Sequence, residues 1–137
     1  VVANLGPRLG MPKQILIAAL LAGAFIGCGK KEPITAGGIT AEQWIAAMKN
    51  ADAPLRVKAV RKLSSLIRFD KAALPGVIAA LTDDAPEVRA EAIQSLAGLT
   101  GENAKEVLPA MREVAKADAD PKNREAAARA MVQMTAH

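Results

Sequence analysis

The sequence predicts an all-α chain folded as a short α-solenoid (superhelix) of three antiparallel helix pairs. Three observations carry that prediction. The first is composition: of 137 residues, 51% are hydrophobic but only 2% aromatic, and 30 are alanine. Alanine is the best helix former, whereas a β-sandwich draws on β-branched and aromatic residues. The second is internal repetition. Arg56, Ala59, Leu63 and Leu66 recur as Arg89, Ala92, Leu96 and Leu99, and again as Arg124, Ala127, Met131 and Met134, with the arginines 33 and 35 residues apart. The third is punctuation: Asp52, Asp84 and Asp120 each precede a proline (Pro54, Pro86, Pro121) at the start of an apolar-periodic stretch, which is the composition of a helix N-terminus.

The N-terminal segment reads as an address rather than a fold. A positive region with Arg8 and Lys13 precedes an apolar run, Ile15 to Gly27. The run is shorter than the ~20 residues of a spanning helix and suits the apolar core of a signal peptide. Residues 1–10 lack an initiating Met while Met11 opens a signal of normal length, so 1–10 read as an over-extended gene boundary or Val1 as an alternative start. The chain's one cysteine follows the run directly, as Phe25-Ile26-Gly27-Cys28. This resembles the lipobox of bacterial lipoproteins, with an aliphatic residue two before the cysteine and a small one immediately before it; Phe25 departs from the usual Leu. The resemblance implies a signal peptide over 1–27, cleavage before Cys28 and an acyl lipid on its thiol. An ordinary signal peptide, or an uncleaved anchor with an incidental cysteine, are the alternative readings.

Residues 28–39 are polar, with Pro33, Gly37 and Gly38 and no periodicity, and read as a flexible tether. Loss of 1–27 removes Arg8 and Lys13, so 28–137 carries 16 basic and 14 acidic residues and the net charge falls from +4 to +2. The isoelectric point of about 9.5 is thus partly a property of the leader, and nucleic-acid binding loses its main support.

Residues 40–137 form the domain, with repeats over about 40–68, 71–100 and 104–136. Its helices are expected near 40–50, 54–68, 72–82, 86–99, 104–116 and 121–135. Thr40 with Gln43 three residues on makes a capping-box pattern, and Gly101 reads as the end of the fourth helix. Trp44, Val77 and Met111 correspond between repeats, as do Leu74-Pro75 and Leu108-Pro109. Trp44 is therefore read as core.

The pattern Asp-x-Pro-x-Val-Arg-x-x-Ala-x-x-x-Leu-x-x-Leu resembles HEAT repeats, including the short HEAT-like units named after phycobilisome lyases, over about residues 40–136. On a helical projection Arg56 and Arg89 fall inside the apolar arc, and a charge on that side needs a fixed anionic partner. In HEAT proteins the corresponding Asp and Arg bridge neighbouring repeats, and the resemblance implies that role for Asp52, Arg56, Asp84, Arg89, Asp120 and Arg124.

Catalysis finds no support. There is no Tyr, the one His is terminal, and no nucleophile has a base beside it. A calcium site at Asp83-Asp84 or Asp118-Ala119-Asp120 lacks the six to eight oxygens that ion takes, so no metal or cofactor is expected beyond the lipid on Cys28. One feature is not imposed by the repeat: Lys58, Arg61, Lys62 and Arg68 group on the polar side of the second helix, with Arg129 in register with Arg61. They read either as a partner-binding stripe or as an ordinary solvated face.

Together these observations predict a non-catalytic, lipid-anchored module for protein–protein interaction at the bacterial envelope, on the periplasmic or outer-membrane side, with no nucleic acid and no small-molecule substrate. Two alternatives stand beside it: an accessory subunit of a membrane complex with an uncleaved anchor and an apolar outer end (Trp44, Ile45, Met48 or Met131, Val132, Met134), and a binder of anionic lipid or another polyanion through the basic stripe.

Overall fold

A computed structural model of the chain describes residues 33–50 and 52–136. The predicted signal peptide, Cys28 and the first part of the tether lie outside the described residues.

The domain opens with a feature the sequence reading did not contain. Residues 35–39, expected in the flexible tether, belong to a small antiparallel hairpin, β1 (Thr35–Ala36) and β2 (Ile39–Thr40), with Thr35 opposite Thr40 and Ala36 opposite Ile39. Gly37 and Gly38 form its tip at φ +67° and +78°, and a two-residue turn with positive φ at both positions matches the twist of paired strands. Strands of two residues show no alternation, which is why the segment read as tether. The hairpin packs on the first two helices, and Trp44 Nε1 donates to the Ala36 carbonyl at 3.2 Å. That bond satisfies the indole N–H, so the ring can be buried.

Six helices follow: α1 (Ala41–Asn50), α2 (Ala53–Leu66), α3 (Ala73–Ala79, continued by one 3-10 turn, Ala80–Thr82), α4 (Pro86–Leu96), α5 (Gly101–Ala117) and α6 (Pro121–Thr135). The predicted capping box forms, with the Thr40 amide donating to Gln43 Oε1 at 2.9 Å and the Gln43 amide donating to Thr40 Oγ1 at 3.4 Å. Pro54, Pro86 and Pro121 fall in the first turns of α2, α4 and α6, where a missing N–H costs nothing. One boundary is corrected: α4 ends at Leu96, ahead of Ala97-Gly98, and Gly101, at φ +62°, opens α5 instead of closing α4.

Consecutive helices pair as α1–α2, α3–α4 and α5–α6. The second helices stack on one another, α2 on α4 and α4 on α6, with α1, α3 and α5 along the other side. The repeated residues fill the single core. Ala59, Ala92 and Ala127 are each fully buried, as are Leu63, Leu96, Val77 and Met111, and Trp44 joins them as expected. The three alanines leave room for helices to approach closely. α3 approaches closest at Gly76, where a Cβ would lie 2.9 Å from Ile45 Cγ1 and 3.2 Å from Leu63 Cδ1.

Candidate protein-docking surface

The arginines inside the apolar arc are held by bidentate hydrogen bonds to carboxylates of the next repeat. Arg56 presents Nε and Nη2 to the two carboxylate oxygens of Asp83 at 2.8 and 2.9 Å. Arg89 does the same to Asp118 at 2.7 and 2.9 Å. Each pair joins one repeat to the next. Each carboxylate also accepts a backbone N–H two residues on, from Ala85 at 2.9 Å and from Asp120 at 2.8 Å. Arg89 Nη1 ties back to the carbonyls of Asp83 and Asp84, and Arg124 Nη1 to those of Asp118 and Ala119. The result is a ladder: arginine, aspartate of the next loop, then the next arginine.

The ladder corrects the expected partners. Inter-repeat carboxylates are Asp83 and Asp118, not Asp84 and Asp120. Asp83 and Asp118 end the preceding helix in extended backbone, and the i+2 amide turns each carboxylate toward the arginine behind it. Asp84 is exposed and offers Arg89 only its carbonyl. Asp120 spends its carboxylate as the N-cap of α6, accepting from the Lys122 amide at 2.9 Å. Asp52 is the N-cap of α2 without a side-chain capping bond. A constant spacing would have found the true partners: both stand six residues before an arginine, a position held in the first repeat by the neutral Asn50.

Electrostatics follow the geometry. Arg89's hydrogen bonds hold the Asp118 carboxyl below the usual carboxylate range against the pull of burial, helped by the Asp120 amide and Asn123. For Asp83 burial is the largest influence and acts upward; the Arg56 hydrogen bond, the Ala85 amide and both arginine charges together outweigh it and leave the carboxyl low. Arg56 and Arg89 are correspondingly raised, first by their hydrogen bonds to Asp83 and Asp118. Sequence reasoning also passed over Asn123, which is buried and donates from Nδ2 to the Pro86 carbonyl at 3.1 Å, joining α6 to α4.

The basic stripe divides. Arg61 makes a bidentate pair with Glu91 of α4 at 3.0 and 2.7 Å, a second inter-repeat link on the open side. Arg129 pairs with Glu125 one turn back at 2.5 Å. Lys58, Lys62 and Arg68 have no ion pair among the described residues. Arg129 lies two helices away from these three, so the structure does not bring the five residues into one patch.

Two concavities lie between repeats. A shallow groove of about 430 Å³ runs between α4 and α6, lined by Ile93, Ala97, Asn123, Ala126 and Ala130, with Ala90, Gln94, Lys122, Arg129 and Gln133 around them. A cleft of about 700 Å³ opens between the α3 end and α5, with Ile78, Leu81 and Val114 as walls and the Arg89–Asp118 pair at its edge. Among the described residues no helix is long and apolar enough to cross a membrane, and no group of His, Cys, Asp and Glu is placed to hold a metal. Of the six apolar residues expected at the ends of the stack, Trp44 and Met134 are buried, Ile45, Met48 and Met131 half-buried, and Val132 is 69% exposed.

Stacked helix pairs, a core of repeated positions and an arginine–aspartate ladder define an α-solenoid repeat protein. The family described as HEAT repeats matches residues 41–133, and the chain belongs to that family. Comparisons with curated proteins and with solved structures give no match. HEAT repeats generally mediate protein–protein interaction and are typically non-catalytic.

Proposed function

We propose that the chain is a non-catalytic binding module, tethered to the bacterial envelope by a lipid on Cys28, that docks a protein partner on the face formed by α2, α4 and α6. The observation supporting this most strongly is the α4–α6 groove. Its lining is mostly alanine with Ile93, and Gln, Lys and Arg stand around it, so it offers close backbone approach and adaptable polar contacts. The tether reading rests on Phe25-Ile26-Gly27-Cys28 and on the chain having no other cysteine.

Two measurements test the two halves. The intact mass of native protein from a membrane fraction is expected to begin at Cys28 and to carry acyl mass that is lost in Cys28→Ser. A chain keeping residues 11–27 would replace the lipid anchor with an uncleaved one and favour the accessory-subunit reading. Photo-crosslinkers at Gln94 and Gln133 are expected to capture one discrete protein in intact envelopes, while one at Lys105 on α5 captures none. Equal labelling from all three sites would overturn the groove.

A second reading has its own observation. Lys58, Lys62 and Arg68 carry charges that no carboxylate among the described residues neutralises, and they belong to the first repeat, which follows the tether in sequence. Contact with anionic headgroups there predicts binding to anionic vesicles that falls steeply with salt and is lost in the triple Gln variant.

A further inference from the structure

Among the described residues the last rung of the ladder is unfilled. Arg124 is held as Arg89 is, through Nη1, at 2.6 Å from the Asp118 carbonyl. Arg89 uses its remaining donors, Nε and Nη2, on the carboxylate of the next repeat. The same two donors of Arg124 have no acceptor among the described residues. A planar guanidinium fixed at one corner and open at the other two is a preorganised receptor for a carboxylate, because the fork geometry is set before the anion arrives.

The helix face beside it has the same character. At 100° per residue, Arg124, Ala128 and Met131 share a stripe of α6. The matching residues Val60 and Leu63 of α2, and Ile93 and Leu96 of α4, are all buried, whereas on α6 Ala128 is exposed and Met131 half-buried. The residues with which α4 lines its groove toward α6 are Ala90, Ile93, Gln94 and Ala97. Their counterparts on α6 are Glu125, Ala128, Arg129 and Val132, with Val132 69% exposed. The outer face of α6 is thus half of a helix seat, with a small floor, an exposed apolar residue and an ion-paired rim.

We infer that this face takes an amphipathic helix of a partner protein that is preceded, two residues ahead of its N-cap, by an aspartate, received bidentately by Arg124 as Asp118 is by Arg89. Charge complementarity selects the occupant: the fork requires an anion, and the stripe following it is apolar. A second copy of this chain is the poorer fit. Its first repeat carries neutral Asn50 where Asp83 and Asp118 stand, and its hairpin already packs on α1 and α2. This inference rests on the reading of the chain as a protein-binding module and names the chemistry of one partner contact.

The probe is a synthetic peptide of residues 116–136, which carries Asp118 and the helix that fills the equivalent face of α4, added to the isotopically labelled full chain and followed by NMR. The expected result is shifts at the Arg124 Nε–H, Ala128 and Val132, with at least tenfold weaker binding for Arg124→Gln, for Val132→Asp and for the Asp118→Asn peptide. Arg124→Gln combined with the Asn peptide should lose no more than either change alone. No shift on α6, shifts that move to the Arg89 face of α4, or binding unchanged by Arg124→Gln would each overturn it. So would concentration-dependent shifts at α6 without peptide, which assign the face to a second copy, or an equal response to anionic vesicles, which makes Arg124 a general anion contact. Discrete crosslinking at Gln94 and Gln133 with a silent α6 face would leave the module reading standing and remove this one.

Discussion

Arg89 and Asp118 meet through two parallel hydrogen bonds across 29 residues of sequence, and the Asp118 side chain is 1% exposed. Among the described residues neither group forms a second ion pair. Breaking such a pair leaves one buried charge uncompensated, which costs more than the pair contributes net. Asp118→Asn is expected to destabilise by about 3 kcal/mol, and Arg89→Met by a similar amount. The Arg89→Met/Asp118→Leu double variant should recover part of that loss in urea unfolding.

The two low carboxyls make stability depend on acid pH. Asp118 and Asp83 titrate below their unfolded values, so the stability they contribute is present above ~pH 4 and is lost as pH falls through their folded-state values. The urea midpoint should drop from pH 5 toward pH 2, and Asp118→Asn should flatten that descent. An unchanged acid limb in Asp118→Asn would show that the pair does not govern it.

Neighbouring aspartates separate the ladder from the caps. Asp83→Ala removes the acceptor of Arg56 and should cost about 2–3 kcal/mol. Asp84→Ala, at an exposed side chain, should stay within about 0.5 kcal/mol. Asp120→Ala loses a cap and should cost about 1 kcal/mol. Thermal midpoints of the three variants give the ranking, and equal effects of Asp83 and Asp84 would refute the assignment.

Gly76 is a packing position. A Cβ there meets Ile45 at 2.9 Å and Leu63 at 3.2 Å, so Gly76→Val should cost about 3 kcal/mol by forcing α3 away from α1. Gly76→Ala sets that clash against a helix-propensity gain of ~1 kcal/mol and should be the milder change by calorimetry.

Local structure and register were largely legible, because repetition multiplies a weak signal. Arg56, Arg89 and Arg124, each followed by alanine and two Leu or Met positions, located the three second helices within a few residues and put Ala59, Ala92 and Ala127 in the core. The carboxylate partners were misread for a physical reason. Adjacent aspartates divide two tasks, helix capping and inter-repeat pairing, and only backbone direction decides which does which. Asn50 then broke the spacing that would have exposed the answer. The hairpin escaped because Thr35–Thr40 is too short for periodicity, although Gly37-Gly38 between Ala36 and Ile39 is a turn signal. Of the basic stripe, composition gave the charges but not Glu91, which neutralises Arg61 from the next repeat.

Trp44 is the chain's one indole, and it lies on α1, against the hairpin at Ala36. Its fluorescence is therefore a local reporter of the first helix pair, whereas circular dichroism averages over every helix of the chain. Because rungs join only neighbouring pairs, the two optical signals can part company during denaturation. Coincident curves would mean that the ladder makes three repeats melt as one unit; an earlier fluorescence transition would mean that the stack unzips from its hairpin end.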